Sequence, residues 1–191
     1  MGRSCAFFDT SIGRCGIVWG EAGVVCVQLP EARELETRRR LYRIYPESRE
    51  QRPSVMIDIA IEGITALLRG QTYDLSDIAL DMTGINVFNQ RVYEYTRAIP
   101  RGETRTYSEI AGQMRRSGGE HSVAQAIGRN PFMVIVPCHR VLETGYYADK
   151  NSPFGGTISK RHLLSLEGTR PMAGKTLFDV LLPVATPRPQ N

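Results

Sequence analysis

Residues 5 to 29 constrain the fold more than any other part of the chain. Three short apolar stretches, Ala6-Phe7-Phe8, Ile17-Val18-Trp19 and Val24-Val25-Cys26-Val27, alternate with Gly13, Gly16, Gly20 and Gly23. Stretches this short cannot complete a buried helix, and glycine supplies the φ values that tight turns need. The spacing therefore predicts a small antiparallel sheet built from hairpins. Beyond it the period changes. The charged segment Glu31 to Tyr45, with Leu35, Leu41 and Tyr42, reads as a surface helix whose Arg38-Arg39-Arg40 run is a solvated face. Pro53 opens a stronger helix with Ile57, Ala60, Ile61, Ile64 and Leu68 on one stripe, and Gly70 stops it.

After a loop from Asp74 to Gly84 a second unit begins. Phe88, Val92, Tyr93 and Thr96 lie at helical spacing, and Ile99-Pro100-Arg101-Gly102 ends that helix. Thr106-Tyr107-Ser108-Glu109 fits a capping box, with Thr106 as N-cap and Glu109 reaching back. The helix it starts carries Ile110, Ala111 and Met114, and Ser117-Gly118-Gly119 turns the chain. A further helix faces Val123, Ala124 and Ile127 toward the first until Asn130-Pro131 halts it. Two short helices joined by a glycine-containing turn form a helix-turn-helix pattern. Phe132 to Val136 is apolar throughout, which predicts a buried, extended segment carrying Cys138 out of the core beside the preceding helix. A last helix over 159–167 packs Leu163, Leu164 and Leu166. The expected fold class is α/β, of the α+β kind: an N-terminal α/β unit at 1–80, a mostly helical unit at 81–175 and a tail at 176–191.

At 191 residues the chain has room for one generous domain or two small ones sharing a core. Its net charge of +4 leans only weakly toward a polyanionic partner. Cys5, Cys15, Cys26 and Cys138 are widely spaced with no C-x-x-C pair, so no disulfide framework is expected. The start of the chain does not read as a secretory leader, and no apolar run is long enough to span a bilayer. Met1-Gly2 is followed by Ala6 where a myristoylation signal needs Ser or Thr. A reducing, intracellular setting follows as the expectation, cytoplasmic in a bacterium or nuclear in a eukaryote, with Cys138 a free thiol.

Val136-Pro137-Cys138-His139-Arg140-Val141 is where chemistry concentrates. A thiol titrates near ~8.5, so little is nucleophilic thiolate at neutral pH without help. His139 is the obvious helper, but neighbours on an extended chain point to opposite sides. A relay through one water, with a carboxylate orienting the imidazole, is easier, and Glu167 is the candidate carboxylate. The plain alternative is a buried structural cysteine beside an incidental histidine.

Phe88-x-x-x-Val92-Tyr93, Ile99-Pro100-x-Gly102, Thr106-Tyr107-x-x-Ile110-Ala111, Val123-x-x-Ala126, Asn130-Pro131, Ile135-Val136-Pro137-Cys138-His139-Arg140-Val141, Gly155-Gly156 and Leu163-Leu164-x-x-Glu167-Gly168 together resemble the O6-alkylguanine-DNA alkyltransferases. The resemblance covers Phe88 to Gly168. Residues 1–80 are similar only in layout to that family's ribonuclease-H-like N-terminal domain. The resemblance implies repair of O6-alkylguanine, and of O4-alkylthymine as a further substrate, by stoichiometric transfer to Cys138. His139 would act through water as base, Glu167 would hold its tautomer, and Tyr107 would rotate a phosphate and assist the leaving base. DNA contact is implied for Asn130, as a hinge, and for His121, Ser122, Arg129, Arg140 and Tyr107. Val141, Phe154 and Gly155 would line the substrate pocket, and the Cys138 and Val141 carbonyls would accept from the guanine amine.

Two positions depart from the family pattern. His121 stands where an arginine would fill the gap left by a flipped base, which predicts weaker flipping or a preference for extrahelical or single-stranded lesions. The lid between Val141 and Gly155 is longer and more acidic, and Phe154 in it bears on the size of alkyl group accepted. Some relatives hold zinc in the N-terminal domain; scattered cysteines far from His121, His139 and His162 predict no metal here. No cofactor is expected. The partner would be duplex DNA carrying alkylated guanine, with single strands as the alternative; the protein would be a monomer without membrane contact. The competing readings are a lesion-binding module without transfer and a helix-turn-helix regulator that senses alkylation through Cys138.

Overall fold

The computed structural model describes residues 2–116, 118–143 and 160–169. The N-terminal glycine-punctuated segment folds as the predicted meander: β1 (Ser4–Thr10), β2 (Gly13–Gly20) and β3 (Gly23–Gln28), each antiparallel to the next. Thr10 pairs with Gly13 across a two-residue hairpin turn, and Gly20 with Gly23 across another. Gly23 serves a second purpose. A Cβ there would stand 2.3 Å from the Ala79 carbonyl oxygen, so only glycine lets the 79–81 loop bond to β3. Val24 N–H donates to Ala79 and Asp81 N–H donates back to Val24.

α1 (Glu34–Ile44) leads to β4 (Arg49–Glu50), which adds to β1 in parallel, giving the order β3-β2-β1-β4. A two-residue, exposed strand has no periodicity to read, and the sequence did not reveal it. The arginine run of α1 is more than a solvated face. Arg38 lies 4.2 Å over the Phe7 ring and pairs with Glu50 at 2.6 Å, while Arg40 pairs with Glu31 at 2.7 Å. Leu35 points outward instead; Thr37 joins Leu41 on the buried side.

The sheet buries both faces. Cys5, Val18, Val25 and Cys26 pack with Leu41 on one side. On the other, Ile17, Val24 and Val27 meet Ile57, Ala60, Ile64 and Leu68 of α2 (Val55–Leu68). That second cluster continues without a break into Tyr93, Ile110, Ile127 and Cys138. One core therefore crosses residue 80, and burial of this kind, at ~25 cal/mol per Å², holds the two units as one packed body.

α3 (Val87–Arg97) is capped by Asn86, whose side chain accepts from Asn89 N–H. β5 (Arg105–Thr106) precedes α4 (Tyr107–Gln113), and the predicted capping box is present at both bonds. α5 (Glu120–Gly128) packs Val123, Ala126 and Ile127 inward. Ala124, expected on that face, is only half-buried; Ala126 takes its place, and its carbonyl accepts the Tyr93 hydroxyl at 3.1 Å.

The largest correction concerns Phe132 to Val136. These residues are buried apart from half-buried Met133, but they are not extended. Phe132 bridges to Val27, then the chain turns through Val134 at φ 72° so that Val136 N–H donates to Phe132. A 3-10 turn follows at Cys138–Arg140, before β6 (Val141–Leu142) pairs in parallel with β5. α6 (Lys160–Leu166) is the last described helix and buries Leu163 and Leu164. No helix among the described residues is long and apolar enough to cross a membrane. The lid beyond Glu143, Phe154, Gly155 and the tail at 176–191 lie outside the described residues.

Candidate active site

Cys138 opens the 3-10 turn and is fully buried, not carried out of the core as its sequence suggests. Two local features hold it. Its N–H donates to Val136, and its carbonyl accepts from Val141 N–H across the turn. The turn ahead of it is fixed from α5: the Asn130 amide donates to the Val136 carbonyl at 3.0 Å while its oxygen accepts from Phe132 N–H at 2.9 Å. Asn130 is itself buried, and these two bonds brace the end of the helix against the cysteine segment, the hinge placement its sequence position suggested.

The turn also removes the geometric objection raised for an extended chain, because Cys138 and His139 are not on opposite faces of a strand. His139 is buried, and its Nε2 lies 2.8 Å from Glu167 Oε1. Arg140 grips the same carboxylate: Nε is 3.0 Å from Oε2 and Nη2 is 2.7 Å from Oε1, while Nη1 donates to the Ile99 carbonyl at 2.6 Å. Arg140 thus points inward, 9% exposed, with its guanidinium engaged. Its sequence position suggested a DNA contact; in the fold it supports the carboxylate.

Burial alone would raise the Glu167 pKa. The hydrogen bonds from His139 and Arg140, with their charges, outweigh it and bring the carboxyl down to about 2. An ionised carboxylate only accepts, so His139 Nε2 carries the proton toward it. Burial pushes the His139 pKa below its usual value, the Glu167 bond opposing, and the ring is neutral at pH 7. The proton-free nitrogen is then Nδ1, which is buried and has no hydrogen-bond partner among the described residues. A lone pair beside the reactive turn is what a general base needs.

Burial likewise raises the Cys138 thiol, opposed by the Lys160 charge and a hydrogen bond to Asn130. The resting sulfur is a thiol, so the site must remove its proton during reaction. Lys160 was not found in the sequence. Its Nζ donates to the Val141 carbonyl at 3.1 Å and to the Tyr107 hydroxyl at 3.3 Å, and it lies 5.6 Å from the Tyr107 ring centre. Nothing in the local pattern of α6 signals a partner 53 residues away. Lys160 occupies one lone pair of the Val141 carbonyl, leaving the second for another donor.

The exposed side of the helix-turn-helix carries His121, Ser122 and Arg129. His121 Nε2 lies 2.9 Å from the Gln125 amide, one turn along α5. Among the described residues no group of three or more His, Cys, Asp and Glu side chains could hold a metal.

Residues 87–169 match the family model described as the DNA binding domain of 6-O-methylguanine DNA methyltransferase. A methylated-DNA–protein-cysteine methyltransferase of Methanothermobacter thermautotrophicus is 34% identical over 153 residues, covering 80% of this chain and 78% of the relative. The crystal structure of Mycobacterium tuberculosis O6-methylguanine methyltransferase, 27% identical, superposes with a TM-score of 0.66 over 90% of this chain and 96% of that one. Mycobacterium tuberculosis OGT in complex with DNA, 28% identical, gives 0.64 over 86% and 92%.

Proposed function

This chain belongs to the methylated-DNA–protein-cysteine methyltransferase family, and from that premise we propose that Cys138 is the acceptor sulfur, served by His139, Glu167 and Tyr107. The activity is direct DNA repair, in which an alkyl group leaves guanine O6 in DNA for the protein's own cysteine. One S–C bond forms and one C–O bond breaks. The thioether product is not hydrolysed, so each molecule acts once and no cofactor enters the balance.

The observation that carries the assignment of roles is the His139–Glu167–Arg140 array. Glu167 fixes the proton on Nε2, Nδ1 takes the thiol proton through one water, and the sulfur attacks the alkyl carbon as electrons move to O6. The departing guanine then needs a proton on its ring, and the Tyr107 hydroxyl, already bonded to Lys160, is the donor. Since Cys138 is fully buried, the base must leave the stack to reach it, at a cost of a few kcal/mol. The substrate is duplex DNA bound by a monomer, with α5 in a groove and His121, Ser122 and Arg129 facing the nucleic acid.

Intact-protein mass after mixing with an O6-methylguanine oligonucleotide tests this. A gain of one methyl group, absent in Cys138→Ala, is the expected result. Unchanged mass with tight binding would turn the reading to a lesion-binding module instead.

A further inference from the structure

A cavity of about 260 Å³ opens between the loop at residues 72–76, the C-terminal end of α3 and the turn before Cys138. It is independent of the alkyl-transfer reading. Its walls include Tyr73, Pro137 and three guanidinium groups, Arg97, Arg101 and Arg140, against a single carboxylate, Asp74. Arg140 is neutralised by Glu167. The other two arginines are not. Among the described residues Arg101 donates to the carbonyls of Gly70, Gln71 and Leu166. Arg97 donates through Nη2 to the carbonyls of Leu75 and Ile78, and its Nε is buried with no partner among the described residues. Neither forms an ion pair with any described residue.

Both guanidinium groups are half-buried, and the carbonyl dipoles they hold supply only part of a counter-charge. Burial pushes the Arg97 pKa down, with Asp74 and Asp77 offsetting it in part, which is the same shortfall seen from the proton's side. The forked donors of arginine suit a phosphate better than a point charge would. The volume exceeds that of a bare phosphate, and Tyr73 and Pro137 add apolar area to its walls. A duplex cannot enter so small a space.

We propose that this cavity binds a small phosphate monoester, the phosphate held by Arg97 and Arg101 and the organic group against Tyr73 and Pro137. Titration calorimetry on the full chain with inorganic phosphate and with adenosine 5′-monophosphate tests it. Saturable binding of both, tighter for the ester, is expected. Arg97→Met should abolish it, but Arg97 also ties down the loop, so two rim variants decide. Asp74→Asn keeps the oxygen that accepts from Ser76 N–H and removes the one carboxylate; binding should tighten by about 5-fold. Thr72→Glu, at an exposed position, should weaken it by about as much. No saturable heat at millimolar ligand would overturn the proposal. So would binding that neither rim variant moves, or binding lost in Arg116→Ala, which would put the anion on the helix-turn-helix instead.

Discussion

Cys15 in β2 and Cys138 in the 3-10 turn are both fully buried, and Cys26 in β3 nearly so, yet their surroundings differ. In the sheet, burial raises Cys15 to about 12, with only the Thr10 hydroxyl opposing, and raises Cys26 to about 11, with Tyr45 and Arg40 opposing. Neither has an imidazole beside it in the chain. Around Cys138 burial acts in the same sense, but Lys160, Asn130 and a neutral imidazole backed by an ionised carboxylate surround it. Inaccessibility is thus common to structural and reactive thiols, and the difference lies in whether the fold has assembled a place for the proton to go.

The sharpest way to break that comparison is to exchange the cysteines' fates. Cys138→Ala should remove all methyl gain from an O6-methylguanine oligonucleotide, while Cys15→Ala and Cys26→Ala retain it; mass spectrometry reads both. A methyl group appearing on a sheet cysteine would end the distinction. Next in size is the carboxylate. Glu167→Gln should slow single-turnover transfer by about 100-fold, because the amide no longer fixes the imidazole tautomer. It should also alter acid stability. A folded pKa of about 2 against an ordinary 4.5 contributes stability that is complete above 4.5 and lost as pH falls toward 2, and the variant lacks that term.

A pH series sharpens the role of His139. Its folded pKa lies below 6.5, so Nδ1 stays free of protons through neutral pH, and the transfer rate should be level there. Below the folded pKa it should fall by about tenfold per pH unit as the base is protonated. A transfer rate unchanged in His139→Phe across the same series would remove His139 from the relay. The smallest effect belongs to the outer face. His121→Arg should speed repair of duplex by a few-fold and leave single-stranded repair unchanged, since arginine fills a vacated stack better. Equal change on both substrates would show that His121 has no part in flipping.

The readability of the sequence follows how locally each feature is determined. The capping box at Thr106 and Glu109 is written within four residues, and both bonds form. The hairpins form with turns after Thr10 and after Gly20, but Gly16, expected at a turn, lies inside β2 opposite Phe7, where a Cβ would stand 2.6 Å from Leu41. Phe132 to Val136 shows the limit: an apolar run announces burial but not φ, and the turn at Val134 is dictated by Asn130 and the bridge to Val27. Arg140 and Lys160 show it again. Beside a cysteine motif an arginine suggests phosphate, but its partner is Glu167, 27 residues on, and Lys160 depends on Tyr107 and Val141.

Val134 has one more consequence. A β-branched residue at φ 72° costs on the order of 1–3 kcal/mol, so the loop does not keep its shape by its own preference. Its form is imposed by Asn130, just past the end of the helix whose other side looks outward with His121 and Ser122. A tilt of α5 on a bound surface would therefore pull on Val136 and swing the sulfur two residues later, as a crank turns a shaft. The outward helix and the sulfur are thus linked through Asn130.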